Sequence, residues 1–300
     1  MGRLGYFALL ACAAAVTAPG RGMPAERGGG DLDEIRARGV LRHLGVPYAR
    51  FVSGSEGGFD VDLMKAFAVH LGVRYEFVET EWTAALGDLT GRRVSGKVSD
   101  PARAAATPIR GDVLATGLTV LPWRKKSVDF SAPIFPTQVW IVALPDSPVR
   151  PIVPQGGVEK DISEVRRRLA GRRVIGVPNT CLDPALYDLD RAGAVPVRLD
   201  TSRLDEVAPA LLAGQGDLAL LDVADAVLAF EKWPGRFKVI GPASPIQDMA
   251  AAFRKDSPQL RAAFDRFLVD GIRNGTYDRL VATYFPRAPA LFPVFFARER

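Results

Sequence analysis

Apolar residues recur along this chain with two alternating periods. A short run from Gly39 to Leu44 reads as a strand. After a turn-rich loop from Ser53 to Gly58, Leu63, Met64, Phe67 and Leu71 recur at helical spacing, with Asp60 as the expected cap and Gly72 as the stop. Val73 to Val78 reads as the next strand, and the order strand, helix, strand predicts a parallel sheet with a covering helix. Further apolar runs lie at Asp112–Thr116, Val139–Ala143, Val174–Pro178 and Gly216–Asp222. Helices are expected from near Leu204, with Val207, Leu211 and Leu212 inward, and from Ala224 to Glu231. A strand at Ala250–Arg254 precedes a closing helix with Ser257 as cap, Pro258 in the first turn and Leu260, Phe264, Phe267 and Leu268 as its buried stripe. A last helix ends near Phe285.

The pattern repeats. Val174-Ile175-Gly176-Val177-Pro178 echoes Leu44-Gly45-Val46-Pro47, and the run ending at Asp222 echoes the run ending at Gly117. Each half therefore ends a buried strand on a glycine or a polar residue, where open α/β sheets place their ligands. Pro145, Pro148, Pro151 and Pro154 read as a linker between the halves, and Gly91 to Arg110, rich in Gly, Arg and Ala, reads as a surface loop.

With 300 residues and 48% hydrophobic content the chain buries a real core in one large or two ordinary domains. The net charge of +5 comes from arginines densest at Arg166–Arg168 and Arg172–Arg173, which read as a solvated helix face. Without interleaved aromatics or zinc spacing, a nucleic-acid partner is not expected. Arg3 and the apolar run from Leu4 to Ala18 form a signal-like segment too short to span a bilayer comfortably, and residues 1–30 are assigned to signal and leader. Leu9-Leu10-Ala11-Cys12 resembles a lipoprotein box, the less favoured alternative to a free secreted protein. Loss of the leader leaves Cys181 as the one cysteine, expected to be buried and unable to form an intrachain disulfide. His43 and His70 match no metal or nucleophile pattern, and no cofactor motif is present.

The candidate chemistry centres on Gly117 to Ser131. Gly117 permits close approach of the backbone, Thr119 offers a hydroxyl and an N–H, and Arg124 offers a planar fork that matches a carboxylate. Asp222 is a single carboxylate closing an apolar run, and its chemistry suits a helix cap and a ligand group equally. Tyr48 and Phe51 are the aromatics expected to cover a ligand's side chain, although Phe51 also suits the core.

These residues carry a resemblance. G-L-T-V-L-P-W-R-K-K-S-V-D-F-S from Gly117 is similar to G-M-T-I-T-P-E-R-x-x-x-V-D-F-S, and G-F-D-V-D-L-M-K-A-F-A-V-H-L-G-V from Gly58 is similar to G-F-D-V-D-L-A-x-A-I-A-x-x-L-G-V. Both patterns belong to the solute-binding proteins of polar amino-acid ABC importers, extracellular family 3, and the resemblance covers about Leu41 to Phe285. It implies an α/β, two-lobed Venus-flytrap protein of type II with two parallel-type sheets joined by two crossover strands. The expected division is residues 31–142 with 247–286 in the first lobe, 143–246 in the second, and a tail over 287–300. It also implies a periplasmic monomer that delivers an amino acid or similar small zwitterion to an importer's permease, without cofactor, metal or catalysis. Arg124 and Thr119 would hold the carboxylate and Asp222 the ammonium, which favours the ligand role for that residue. Asn179 and Thr180 lie where the family has a carboxylate-binding turn. Leu121 and Trp123 depart from the pattern. Relatives on the same fold include cyclohexadienyl dehydratases, for which Asp183 is the nearby acid against a capping role, as well as sensor ectodomains and the non-catalytic half of lytic transglycosylases.

Overall fold

The computed structural model describes residues 31–94, 104–201 and 203–297. The signal segment with Cys12, the centre of the loop at 91–110 and the last residues of the tail lie outside them. The strands are β1 (Val40–Gly45), β2 (Arg74–Glu79), β3 (Val113–Leu114), β4 (Val128–Phe130), β5 (Phe135–Thr137), β6 (Val139–Ala143), β7 (Arg173–Gly176), β8 (Val195–Arg198), β9 (Leu218–Asp222), β10 (Lys238–Pro242), β11 (Gln247–Met249) and β12 (Ala252–Arg254). The α-helices are α1 (Leu32–Arg38), α2 (Phe59–Leu71), α3 (Ala85–Thr90), α4 (Pro122–Lys125), α5 (Val158–Arg167), α6 (Val207–Leu212), α7 (Val223–Lys232), α8 (Pro258–Arg273), α9 (Thr276–Tyr284), α10 (Ala288–Leu291) and α11 (Pro293–Phe296).

Two five-stranded sheets result, ordered β2-β1-β3-β12-β4 and β10-β6-β9-β7-β8. Each is parallel where strands alternate with helices: β1 pairs with β2 and β3, and β7 pairs with β8 and β9. Each also takes in antiparallel strands that arrive from the other lobe, β12 in the first sheet and β6 in the second, so the sheets are mixed. β5 and β11 form a two-stranded antiparallel ribbon between them, Pro136 opposite Asp248. This ribbon is the pair of crossovers.

The outward crossing comes earlier than the composition suggests. Because β6 pairs with β9 and β10, Val139–Ala143 lies in the second sheet, and the first lobe ends before residue 142. The proline-rich stretch after it is no linker: it runs along the second lobe, Ile152 N–H donating to Ile240 O at 2.8 Å.

Helix ends are satisfied in ways local sequence only partly shows. The Asp31 carboxylate accepts from Leu32 N–H at 2.8 Å, capping α1, and from Gln259 and Leu260 N–H at 3.1 and 2.8 Å, capping α8 across the lobe. Ser257 stands at the cap position of α8 but its hydroxyl accepts from Arg254 instead, at 3.1 Å. The tail packs on the body, with Phe292 and Phe296 buried and the Phe296 ring 5.9 Å from Phe135.

Candidate functional site

β3 is short because the chain turns sharply at its end. The Thr116 hydroxyl donates to Val46 O at 2.6 Å, which ties this turn to the loop that leaves β1. Gly117 follows with φ +57, and its N–H donates to the buried Asp60 carboxylate at 2.6 Å. A Cβ at Gly117 would stand 2.5 Å from the Phe51 ring. Gly117 is thus required by Phe51 and Asp60, and its N–H is not free for a ligand. Asp60 is not the cap of α2, which begins at Phe59 after Gly58; it reaches across the lobe to fix the turn.

Burial raises the Asp60 carboxyl to about 7, the Gly117 hydrogen bond opposing the shift. The folded state therefore holds a proton that the unfolded chain releases near pH 4, and the stability this lends is present below pH 4 and lost as pH rises through about 7. Buried His43, lowered to about 4 by desolvation, works in the opposite sense over much of that window, adding stability as pH rises. Asp60→Asn, which keeps an acceptor for Gly117, removes only the first contribution. We expect the stability of this variant, measured in urea, to gain on wild type progressively from pH 4 to about 7; a difference independent of pH would contradict the assignment.

Pro122 starts α4 and turns Arg124 inward, where its side chain is 3% exposed. Arg124 Nη1 donates to Thr119 O at 2.7 Å, and the guanidinium lies 5.1 Å from the Trp123 ring centre and 5.9 Å from that of Trp82. Its Nε has no partner, and no carboxylate among the described residues pairs with it. Burial lowers its pKa to about 10. The buried Thr119 hydroxyl stands beside the Cys181 thiol without a hydrogen bond of standard geometry. Cys181, buried as expected, is pushed up to about 12 by desolvation.

The second lobe brings Asp222 to the same place. It ends β9 and caps α7, accepting from Ala224 N–H at 3.0 Å and from the Thr137 hydroxyl at 2.6 Å. Burial raises it to about 6 against those two donors. Both oxygens keep a free lone pair. Tyr48, from the first lobe, places its buried hydroxyl near Asp222 and Asp225, close enough to perturb both carboxylates but outside hydrogen-bonding geometry.

Other expected residues fall elsewhere. Phe51 is fully buried below the cleft, stacked on Tyr48 at 5.8 Å and against Phe285 at 4.6 Å, so it supports the site rather than lining it. Asn179 takes the left-handed conformation, φ +62, as a glycine would, but is exposed, and its N–H donates to Asp183 at 2.9 Å. The Thr180 hydroxyl is used within its own turn, donating to Val177 O at 2.8 Å. Asp183 caps a short 3-10 helix, accepting from Ala185 N–H at 3.0 Å. Sequence reasoning missed Asp225. Its one signal was an acid three residues after Asp222 on an otherwise apolar helix face, which an ordinary first-turn acid explains as well as a buried one does.

A cleft of about 800 Å³ lies between the lobes, walled by Val46–Ala49 and Glu79–Glu81 on one side and by α7 and residues 203–208 on the other. At its rim Arg50 of the first lobe meets Glu231 of the second at 2.6 Å. No group of acids, histidines and cysteines among the described residues is arranged to hold a metal. Nor is any described helix long and apolar enough to cross a membrane.

This architecture matches known proteins. The chain is 23% identical over 249 residues to the lysine/arginine/ornithine-binding periplasmic protein of Escherichia coli K12, covering 79% of this chain and 84% of that one. It is 28% identical over 231 residues to membrane-bound lytic murein transglycosylase F of Desulfosudis oleivorans, covering 76% of this chain but 44% of the relative. Among solved structures, the ancestral amino acid-binding protein AncCDT-1, a precursor of cyclohexadienyl dehydratase, superposes with a TM-score of 0.64 at 25% identity over 85% of this chain and 98% of that one. The family model for bacterial extracellular solute-binding proteins, family 3, matches residues 104–287, more than half of the sequence. The chain belongs to that family.

Proposed function

We propose that this protein captures an amino acid outside the cytoplasmic membrane and delivers it, as a monomer without cofactor, to the permease of an ABC importer. The observation that carries the reading is Arg124: a guanidinium held in the interior 5.1 and 5.9 Å from two indole ring centres, with no carboxylate among the described residues to neutralise it. A buried unpaired charge is costly, and a ligand carboxylate is the partner that offsets the cost. Thr119 adds a hydroxyl beside it. Asp222 receives the ammonium, and Tyr48 with Trp82 flanks the ligand's arm. Since Arg124 and Thr119 belong to one lobe and Asp222 to the other, a zwitterion favours the closed form over the open one. The leader expected over residues 1–30 supplies the export route, and the likeness to a periplasmic binding protein supports that location.

The test is a thermal-shift screen of the twenty L-amino acids. At a concentration one hundred times its dissociation constant, a ligand that binds only the folded form adds about 2.7 kcal/mol and raises the midpoint by several degrees. No shift with any of them at millimolar concentration would contradict the reading.

A second reading, a dehydratase of the cyclohexadienyl type, rests on two buried carboxyls whose pKa values burial raises, Asp222 to about 6 and the neighbouring Asp225 in the same direction. Asp183 no longer supports it, being occupied as a cap. Prephenate returned unchanged after incubation would set this reading aside.

A further inference from the structure

The cleft between the lobes, whose lining includes Tyr48 and Asp225 but not Arg124, Thr119 or Asp222, carries an excess of acid that the capture of a bare zwitterion does not use. Its two basic residues are already engaged: Arg203 pairs with Asp205 at 2.7 Å, and Lys232 sits 4.6 Å over the Trp233 ring. Asp225, Glu79 and Glu81 also line it, and none of the three has a basic partner among the described residues. Asp225 is the telling one. It is 6% exposed, its Oδ2 has no hydrogen-bond partner, and the hydroxyl of Tyr48 beside it is equally unpartnered.

A carboxyl in the first turn of α7 benefits from the helix N-terminus whether exposed or buried, so the helix alone gives no reason to desolvate it. Burial and the neighbouring Asp222 both work against its charge. A cation in the cleft answers both penalties. Glu79 and Glu81, on the opposite wall at the exposed rim, would draw such a cation inward from solvent. A cleft of about 800 Å³ has room for an extended arm.

We propose that Asp225 anchors a second, cation-binding subsite, so that the ligand is an α-amino acid whose side arm ends in an ammonium or guanidinium. This rests on the amino-acid reading above and adds the charge of the arm. The site separates two tasks: Arg124 and Asp222 recognise the zwitterionic head, whereas Asp225 reads the far end and the two rim glutamates steer it.

The experiment is calorimetry with L-lysine and L-norleucine, which differ by the terminal ammonium. Wild type is expected to bind lysine at least tenfold more tightly. In Asp225→Asn that preference falls to near unity while norleucine affinity stays within about threefold of wild type, which a merely structural loss would not produce. In Glu79→Gln with Glu81→Gln, lysine affinity falls less and loses much of its dependence on salt. A lysine preference retained in Asp225→Asn overturns the proposal, as does equal binding of both ligands by wild type; in either case the amino-acid reading stands. Binding of neither ligand by wild type overturns the proposal and leaves the amino-acid reading to the screen of the twenty L-amino acids.

Discussion

Arg124→Ala is expected to lower amino-acid affinity by about 2–5 kcal/mol, roughly 30- to 5,000-fold, because it strips the ligand carboxylate of its buried partner. Fold stability should change little. The guanidinium donates one hydrogen bond, to Thr119 O at 2.7 Å, and stacks on Trp82 and Trp123, which favours it. Against that, the free protein carries a desolvated charge without a counter-ion, which alanine removes. The two effects oppose, and the melting temperature of Arg124→Ala should lie within a few degrees of wild type. A large loss of stability with affinity preserved would place Arg124 in the scaffold.

Phe51→Ala should show the reverse. Phe51 is fully buried among Phe59, Phe135, Phe285 and Tyr48, so truncation opens a cavity in the aromatic cluster that joins the first lobe to the crossover strand β5. We expect a cost of about 3–5 kcal/mol, read by urea denaturation. At a temperature where the variant is folded, ligand affinity should stay within about threefold of wild type, since Phe51 meets the site from behind, through the Tyr48 ring and the Gly117 backbone. A thousandfold loss of affinity at unchanged stability would return Phe51 to the binding surface.

The contrast shows which parts of the site were legible in the chain. The Gly117–Arg124 turn was readable because the position of its groups is set locally: a strand, a turn and a proline-started helical turn leave Arg124 few directions. Phe51 was not, because Tyr48 and Phe51 leave a tight loop whose backbone conformation decides which ring faces the cleft, and no periodicity encodes that. Asp60 satisfies the rules for a first-turn acid so well that its true partner, Gly117, 57 residues away, has no local mark. Asp225 was hidden likewise behind the ordinary use of acids at helix starts. The lobe boundary failed for a related reason. Prolines at 145–154 look like a linker, whereas the crossing occurs at β5, a stretch made of ordinary strand residues around one proline.

Closure of the lobes on a zwitterion also gives the cross-lobe contacts a graded order. The Arg50–Glu231 pair at the rim is a third or more exposed on both sides and adds little to the closed state by itself. Tyr48 near Asp222 and Asp225 lies deep, and there a ligand's positive groups would replace contact between hydroxyl and carboxylate that stays outside bonding geometry in the free protein. Under the proposed function, closure would be governed by the guest rather than by the rim.

The most direct measurement is a calorimetric cycle with L-arginine and L-argininamide, whose carboxylate is replaced by a neutral amide, on wild type and on Arg124→Ala. If the guanidinium of Arg124 meets the ligand carboxylate, wild type binds the amide at least 30-fold more weakly than the acid, and in Arg124→Ala the difference falls to within about threefold. An undiminished penalty for the amide in Arg124→Ala would mean that another group holds the carboxylate, contradicting the account.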